Sequence, residues 1–298
     1  MATIYTYAAS NTQKTFLLIT VFVIFLIFVG WLFSYLLNDP IFLVIAVILS
    51  IIQSFASYWY SDKIVLSLSR AQEIKHEENP ELYHTVENLC IASGLPFPKI
   101  YIINEPQPNA FATGRDKNHA VIAVTKGLLE KLDKPELEGV ISHELSHIGN
   151  KDILLSTVVV VLVGIIAMLS NFFFRISFFG GRRRSSKEGG GILQVLGIIA
   201  LILAPIAATL IQLAISRKRE FLADADGALL TRYPEGLASA LEKISKDQNH
   251  LPSASSSTAH LYIANPLKGK ENENWFAKLF STHPPIAERI KILRDMSV

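Results

Sequence analysis

Residues 143–147 read His143, Glu144, Leu145, Ser146, His147. On a helix, side chains four apart stand one above the other on the same face, so both imidazoles can point at one metal ion with Glu144 between them. Two neutral ring nitrogens at this spacing suit zinc, which in catalytic sites takes three protein ligands and keeps a fourth position for water. Zinc lowers the pKa of that water toward about 7, and Glu144 stands where it can take the proton. The chemistry open to such a pentapeptide is metal-assisted hydrolysis. The competing reading is an amphipathic helix with two surface histidines.

A third ligand is needed, and a carboxylate on a neighbouring helix is a usual solution. Glu220 is the candidate. Asp224 follows one helical turn later on the same face, where it can accept a hydrogen bond from a ligand imidazole and fix its tautomer. The alternative for Glu220 is a salt bridge to the basic run Arg217, Lys218, Arg219 just before it.

These residues need rigid elements beneath them. Asp133 can cap a helix, with Glu136 closing a capping box and Pro135 tolerated in the first turn; Gly149 marks the end. This predicts a metal-bearing helix of about fifteen residues. Residues 81–93 show helical spacing of Leu82, Val86, Leu89 and Cys90, stopped by Gly94, Leu95 and Pro96. Residues 99–103, 111–113 and 120–124 read as strands, the last two joined by a turn at 116–118, and 127–132 starts helical structure again. Residues 286–296 form a last helix containing Arg289, a cation for some carboxylate that the sequence does not choose.

Half of the 298 residues are hydrophobic and the mean hydropathy is +0.34, too apolar for an ordinary soluble domain of this length. Residues 16–37, 41–60, 153–174 and 192–215 each lack charged side chains and are long enough to cross about 30 Å of hydrocarbon. Four membrane helices are predicted, the first being a retained anchor rather than a cleaved signal. The chain then divides into an N-terminal hairpin (1–60), a first catalytic segment (61–152), a second apolar hairpin with a basic loop (153–215) and a second catalytic segment (216–298). A net charge of +2 gives no reason to expect a nucleic-acid partner. The single Cys90 reads as a buried hydrophobe.

Asp39 is the only charge in the first loop, whereas Lys14, Lys63, Arg70 and Lys75 flank the hairpin's other side, which places both chain ends and the catalytic segments in the cytoplasm. The second hairpin disagrees. Its loop carries Arg175, Arg182, Arg183, Arg184 and Lys187 against Glu188, and two full crossings put that charge outside. Either the basic flank at Arg217, Lys218 and Arg219 overrides it, or Pro205 and Gly164 inside these runs allow a broken or shallow hairpin.

Four motifs together resemble the HtpX family of membrane zinc endopeptidases, relatives of the CAAX prenyl proteases: the pentapeptide at His143, the stretch SRKREFLADA from Ser216, NAFATG from Asn109 and THPP from Thr282. The similarity runs over essentially the whole chain, and none of these positions departs from the family pattern. It implies a mostly α fold with a small β-sheet (α+β), a zincin-like (gluzincin) catalytic domain, and one Zn²⁺ held by His143, His147 and Glu220, with Glu144 as general base. It implies an edge strand at Asn109, Ala110, Phe111 and Ala112 that pairs with extended substrate, and His283 as a donor to the oxyanion. The implied partners are membrane-protein substrates, misfolded or damaged, and the lipid of a bacterial inner membrane. The rivals are a site-specific processing peptidase of the CAAX-protease type, and a transport or scaffold protein with a structural metal site. His76, His84, His119, His250 and His260 have no ligand spacing and read as surface or structural residues.

Overall fold

The computed structural model describes residues 4–179, 206, 209–210, 217–249, 251–255, 257–266 and 284–296. Two long apolar helices, α1 (Ile4–Leu37) and α2 (Ile41–Trp59), form an antiparallel hairpin. The turn between them takes a left-handed residue at Asn38 (φ 50°), and Asp39 Oδ1 accepts from the Ile41 amide to start α2. Leu17, Ile24, Ile51 and Ile52 are 58–63 % exposed on this hairpin. So large an apolar surface is untenable in water and natural in lipid. Trp31 and Tyr35 stand toward one end, and Phe55, Trp59 and Tyr60 at the other, as interfacial aromatic belts do.

The chain continues through α3 (Ser61–Leu68), β1 (Gln72–Glu73) and α4 (Pro80–Ser93), the last capped by the Asn79 side chain and ended by Gly94 in the left-handed region. Strands β2 (Lys99–Ile103), β3 (Ala110–Gly114) and β4 (Ala120–Thr125) complete a mixed sheet in the order β1-β2-β4-β3. β2 and β4 are parallel and the outer pairs antiparallel. Strand β3, which carries three of the four residues expected to meet substrate, is therefore an edge. Asp116 accepts from the Asn118 and His119 amides and sets the β3–β4 turn.

After α5 (Lys126–Lys131) comes α6 (Lys134–Gly149), the metal-motif helix. Its capping box forms as expected: Asp133 accepts from the Glu136 amide and Glu136 from the Asp133 amide. Helix α7 (Asp152–Phe179) follows directly, with Lys151 at φ 57° making the bend between them. Helices α8 (Arg217–Thr231), α9 (Pro234–Lys246) and α10 (Ile286–Arg294) pack around α6 and one another.

One core joins the sheet to α4, α6, α9 and α10 through Leu82, Val86, Ile100, Ile122, Val140, Ile141, Leu237, Leu241 and Leu293. Cys90 is buried in it, and burial pushes its thiol up to about 11, so it stays protonated and inert. Close helix approach depends on two glycines of the α6 interface. A methyl group at Gly139 would fall 2.6 Å from the Leu237 amide nitrogen, and one at Gly227 would fall 3.1 Å from the His143 nitrogen. Glycine at these points is what lets α8 and α9 lie against α6.

Among the described residues three helices are long and apolar enough to span a membrane, where four were expected. The fourth run, 192–215, and the basic loop lie almost wholly outside the described residues. The third helix differs in kind from the first two: 61 % of its most apolar window is buried within the protein, against 17 % for each of the others. Its first turns pack on α1 through Leu155, Val158 and Leu162, while Val160 joins a cluster with Phe111 and Tyr262. Part of the apolarity that reads as a membrane span in the sequence therefore belongs to a protein core.

Candidate metal centre

Helix α6 presents His143 and His147 on one face, and α8 brings Glu220 opposite them. The two Nε2 atoms are 3.2 Å apart. Glu220 Oε1 is 3.6 Å from His147 Nε2, and Oε2 is 4.0 Å from His143 Nε2. Ligand atoms bonded to a tetrahedral zinc at about 2.1 Å would stand about 3.4 Å from one another. Two imidazole nitrogens and a carboxylate oxygen at such spacings fit a single divalent ion, and all three atoms lie within 4.8 Å of one another.

Each imidazole is held from behind by a carboxylate. Asp224 Oδ1 is 2.9 Å from His143 Nδ1, and Asp152 Oδ2 is 3.0 Å from His147 Nδ1. Accepting at Nδ1 fixes the tautomer that leaves Nε2 free to ligate. Asp224 is the partner expected from the sequence; Asp152, in the first turn of α7, was missed. Arg289, fully buried, grips Asp224 with two bonds, Nε to Oδ2 at 2.8 Å and Nη2 to Oδ1 at 2.6 Å, and also donates to the Ile263 carbonyl. The carboxylate it serves is thereby settled.

Electrostatics favour a cation at the Nε2 atoms. Glu144, Asp152, Glu220 and Asp224 oppose Arg219 and Arg289, and with neutral imidazoles the cluster carries a net charge of −2, which a divalent ion balances. Burial lowers the pKa of His143 from the usual imidazole value, against the pull of Asp224, and so favours the neutral ring. Burial also opposes charge on His147, yet the Asp152 hydrogen bond and the Glu220 and Glu144 carboxylates raise it to about 9. The same potential that attracts a proton there would favour a divalent ion, whose binding would displace that proton. Asp224 is held down at about 2, Arg289 and the His143 bond overcoming its burial.

Glu144 is 2 % exposed, and burial pushes its carboxyl up to about 7. The amide of Ala112 on β3 donates to it, tying it to the sheet edge. A cavity of about 30 Å³ lies beside it, lined by Ala112, Glu144, His147, Glu220, His260 and Leu261 among others, room for a water molecule among polar partners. His260, set aside in the sequence for want of ligand spacing, thus reaches the centre, with Nε2 donating to the Ser156 carbonyl.

The other expected residues are placed as follows. Asn109 brackets Ala264, donating from Nδ2 to its carbonyl and accepting its amide at Oδ1. The Ala110 carbonyl accepts from the Ile263 amide, and Phe111 packs edge-on against Tyr262. The outer edge of β3 is thus covered by the chain's own segment at Asn109 and Ala110, and Ala112 begins the part beside Glu144. His283 lies outside the described residues.

A buried His-Glu-x-x-His helix facing a glutamate from a second helix is an arrangement that fits a metallopeptidase, here packed against helices long and apolar enough to span a membrane. The chain belongs to peptidase family M48, whose family model matches residues 76–297, and within it to the HtpX-type membrane metalloproteases. It is 47 % identical over 295 residues to a protease HtpX homolog of Dictyoglomus turgidum, covering 99 % of this chain and 95 % of that one. It is 45 % identical over 292 residues to the homolog from Tropheryma whipplei strain Twist, covering 98 % of each. Among solved structures, Ste24p of S. mikatae aligns with a TM-score of 0.49 at 20 % identity, over 98 % of this chain and 67 % of that one.

Proposed function

We propose that this metalloprotease uses zinc, one ion per chain, to hydrolyse peptide bonds in misfolded or damaged membrane proteins at the cytoplasmic face of a bacterial inner membrane. The observation that carries the reading is the convergence of His143, His147 and Glu220 beside the buried Glu144, on a helix that runs within three residues into a membrane-spanning one. Two imidazoles and one carboxylate favour zinc among the available divalent ions. Zinc held there supplies a Lewis acid for a scissile carbonyl and makes water acidic near neutral pH.

The remaining work falls to the chain's own groups. Glu144 takes a proton from the attacking water and returns it to the departing amine. Asp224 and Asp152 keep the imidazoles oriented through each turnover, and Arg289 keeps Asp224 ionised. Extended substrate pairs with the β3 edge from Ala112 onward, since Asn109 and Ala110 hold the neighbouring segment 263–264 in place. His283 is the oxyanion donor on the strength of the resemblance of its motif. Orientation follows from the hairpin: both its open end and the catalytic unit lie on the side that carries Lys14, Lys63, Arg70 and Lys75, leaving Asp39 opposite.

The substrate class is tested by mapping cleavage products from unfolded and folded membrane proteins, using enzyme reconstituted in liposomes. Many cuts in unfolded clients and few in folded ones are expected. A single defined cut in every substrate would replace this reading with that of a processing peptidase.

The pH profile tests the base. Glu144 acts when ionised, so kcat/KM should fall about tenfold per pH unit below its pKa. That pKa is raised to about 7 by burial and is drawn lower by the positive charge of a bound metal ion, so the acid limb should lie between pH 4 and 7. A profile flat over that range, at constant metal content, removes Glu144 from the role.

A further inference from the structure

Helix α1 is longer than a bilayer requires. Its 34 residues extend about 51 Å at 1.5 Å per residue, against about 30 Å of hydrocarbon. The uncharged run starts at Phe16, and the turns ahead of it pack on the catalytic unit at Asn150, Asp152 and Arg219. On that stretch Asn11 is 3 % exposed.

Its amide closes a chain of hydrogen bonds to the metal centre. Nδ2 donates to Asp152 Oδ1 at 2.7 Å and to the Asn150 carbonyl at 3.3 Å. Asp152 uses its other oxygen for His147 Nδ1, at 3.0 Å. Asn11 Oδ1 accepts from Arg219 Nη1 at 3.3 Å, and that guanidinium is 3.6 Å from Asp152 Oδ1. Arg219 directly precedes Glu220. One buried amide therefore touches the turn that follows one metal-ligand helix and the residue beside the ligand of the other.

We propose that Asn11 is a positioning residue of the metal centre, so that the N-terminal membrane helix helps hold His147 and is more than a tether. This rests on the reading of His143, His147 and Glu220 as metal ligands. The chemistry selects asparagine: it offers a donor to a carboxylate and an acceptor to a guanidinium at once. Aspartate would set an acceptor against Asp152, and leucine would offer neither group. With a donor on each oxygen, Asp152 cannot rotate. Without Asn11, only Arg219 remains at Oδ1 among the described residues, and the hold on His147 loosens.

The bland alternative is that Asn11 only docks α1 on the catalytic unit, and the two make different demands on full-length protein in lipid nanodiscs. Zinc release to a chelator, the visible spectrum of the cobalt-substituted protein, and kcat and KM on a peptide are measured for wild type, Asn11→Leu, Asn11→Asp, Asp152→Asn and the Asn11→Leu/Asp152→Asn pair. Asn11→Leu is expected to speed zinc release about tenfold, to shift the cobalt bands and to lower kcat with KM unchanged. In the Asp152→Asn background the same change should add little, because Asn11 acts through that carboxylate. Asn11→Asp keeps the side chain's shape and serves if the leucine variant does not fold. Wild-type release rates and cobalt spectra in the variants, or effects that add fully in the pair, overturn the linkage. Wild-type protein that holds no zinc overturns the reading on which it rests.

Discussion

Glu144→Gln is expected to lower peptide-bond cleavage by about 10² to 10⁴-fold while the protein keeps its fold and its metal. Glutamine retains the shape and can still accept from the Ala112 amide, but it cannot take a proton from water. The side chain is not one of the three converging ligands, so metal content should match wild type. Steady-state cleavage of an unfolded membrane protein, with elemental analysis of the same preparation, reads both halves. Comparable turnover by the variant would dismiss Glu144 as the base; loss of the metal would mean that the variant reports on ligation instead of proton transfer.

Arg289→Leu carries the largest expected cost in stability. The guanidinium is fully buried and doubly bonded to Asp224, itself 1 % exposed. Removing one partner of a buried pair strands the other charge, which costs about 3–5 kcal/mol. For a chain of this size that corresponds to a fall of roughly 10 °C in unfolding midpoint. Asp224 would lose the neighbour that most favours its ionised form, and its hold on His143 would weaken with it. Thermal unfolding of the detergent-solubilised protein measures the effect. Coupling provides the control: Arg289→Leu combined with Asp224→Asn should cost less than the two single changes together. A midpoint within about a degree of wild type in Arg289→Leu would show that the pair is not under strain of burial.

What was legible in the sequence was local. The capping box at Asp133 and Glu136, the i,i+4 spacing of His143 and His147, and the glycine that ends α4 all act over a few residues, whereas the Asn79 cap at its start went unread. The apolar runs of α1 and α2 declared themselves by length alone. The three longer strands were visible as short, mostly apolar runs between turns, whereas β1 is two exposed residues whose only claim to strand structure is its pairing with Tyr101 and Ile102.

The rest of the site depended on contacts between residues far apart in the chain, for which spacing carries no signal. Asp152 sits five residues beyond His147, past the helix end, so no helical periodicity pointed to it; the left-handed turn at Lys151 brings it back. Arg289 had a visible charge but no visible partner until α10 was packed against α8. Asn11 looks like an ordinary polar residue ahead of a membrane span, and His260 like a loop histidine. The third apolar run shows the converse problem. Burial by protein and burial by lipid select the same side chains, and only packing against α1 and β3 tells them apart.

The most direct measurement is the anomalous scattering of the lipid-embedded protein at the zinc absorption edge. A single peak per chain is expected, about 2.0–2.2 Å from the Nε2 atoms of His143 and His147 and from a Glu220 carboxylate oxygen. No peak, or a peak from which Glu220 has turned away, would contradict the proposed centre.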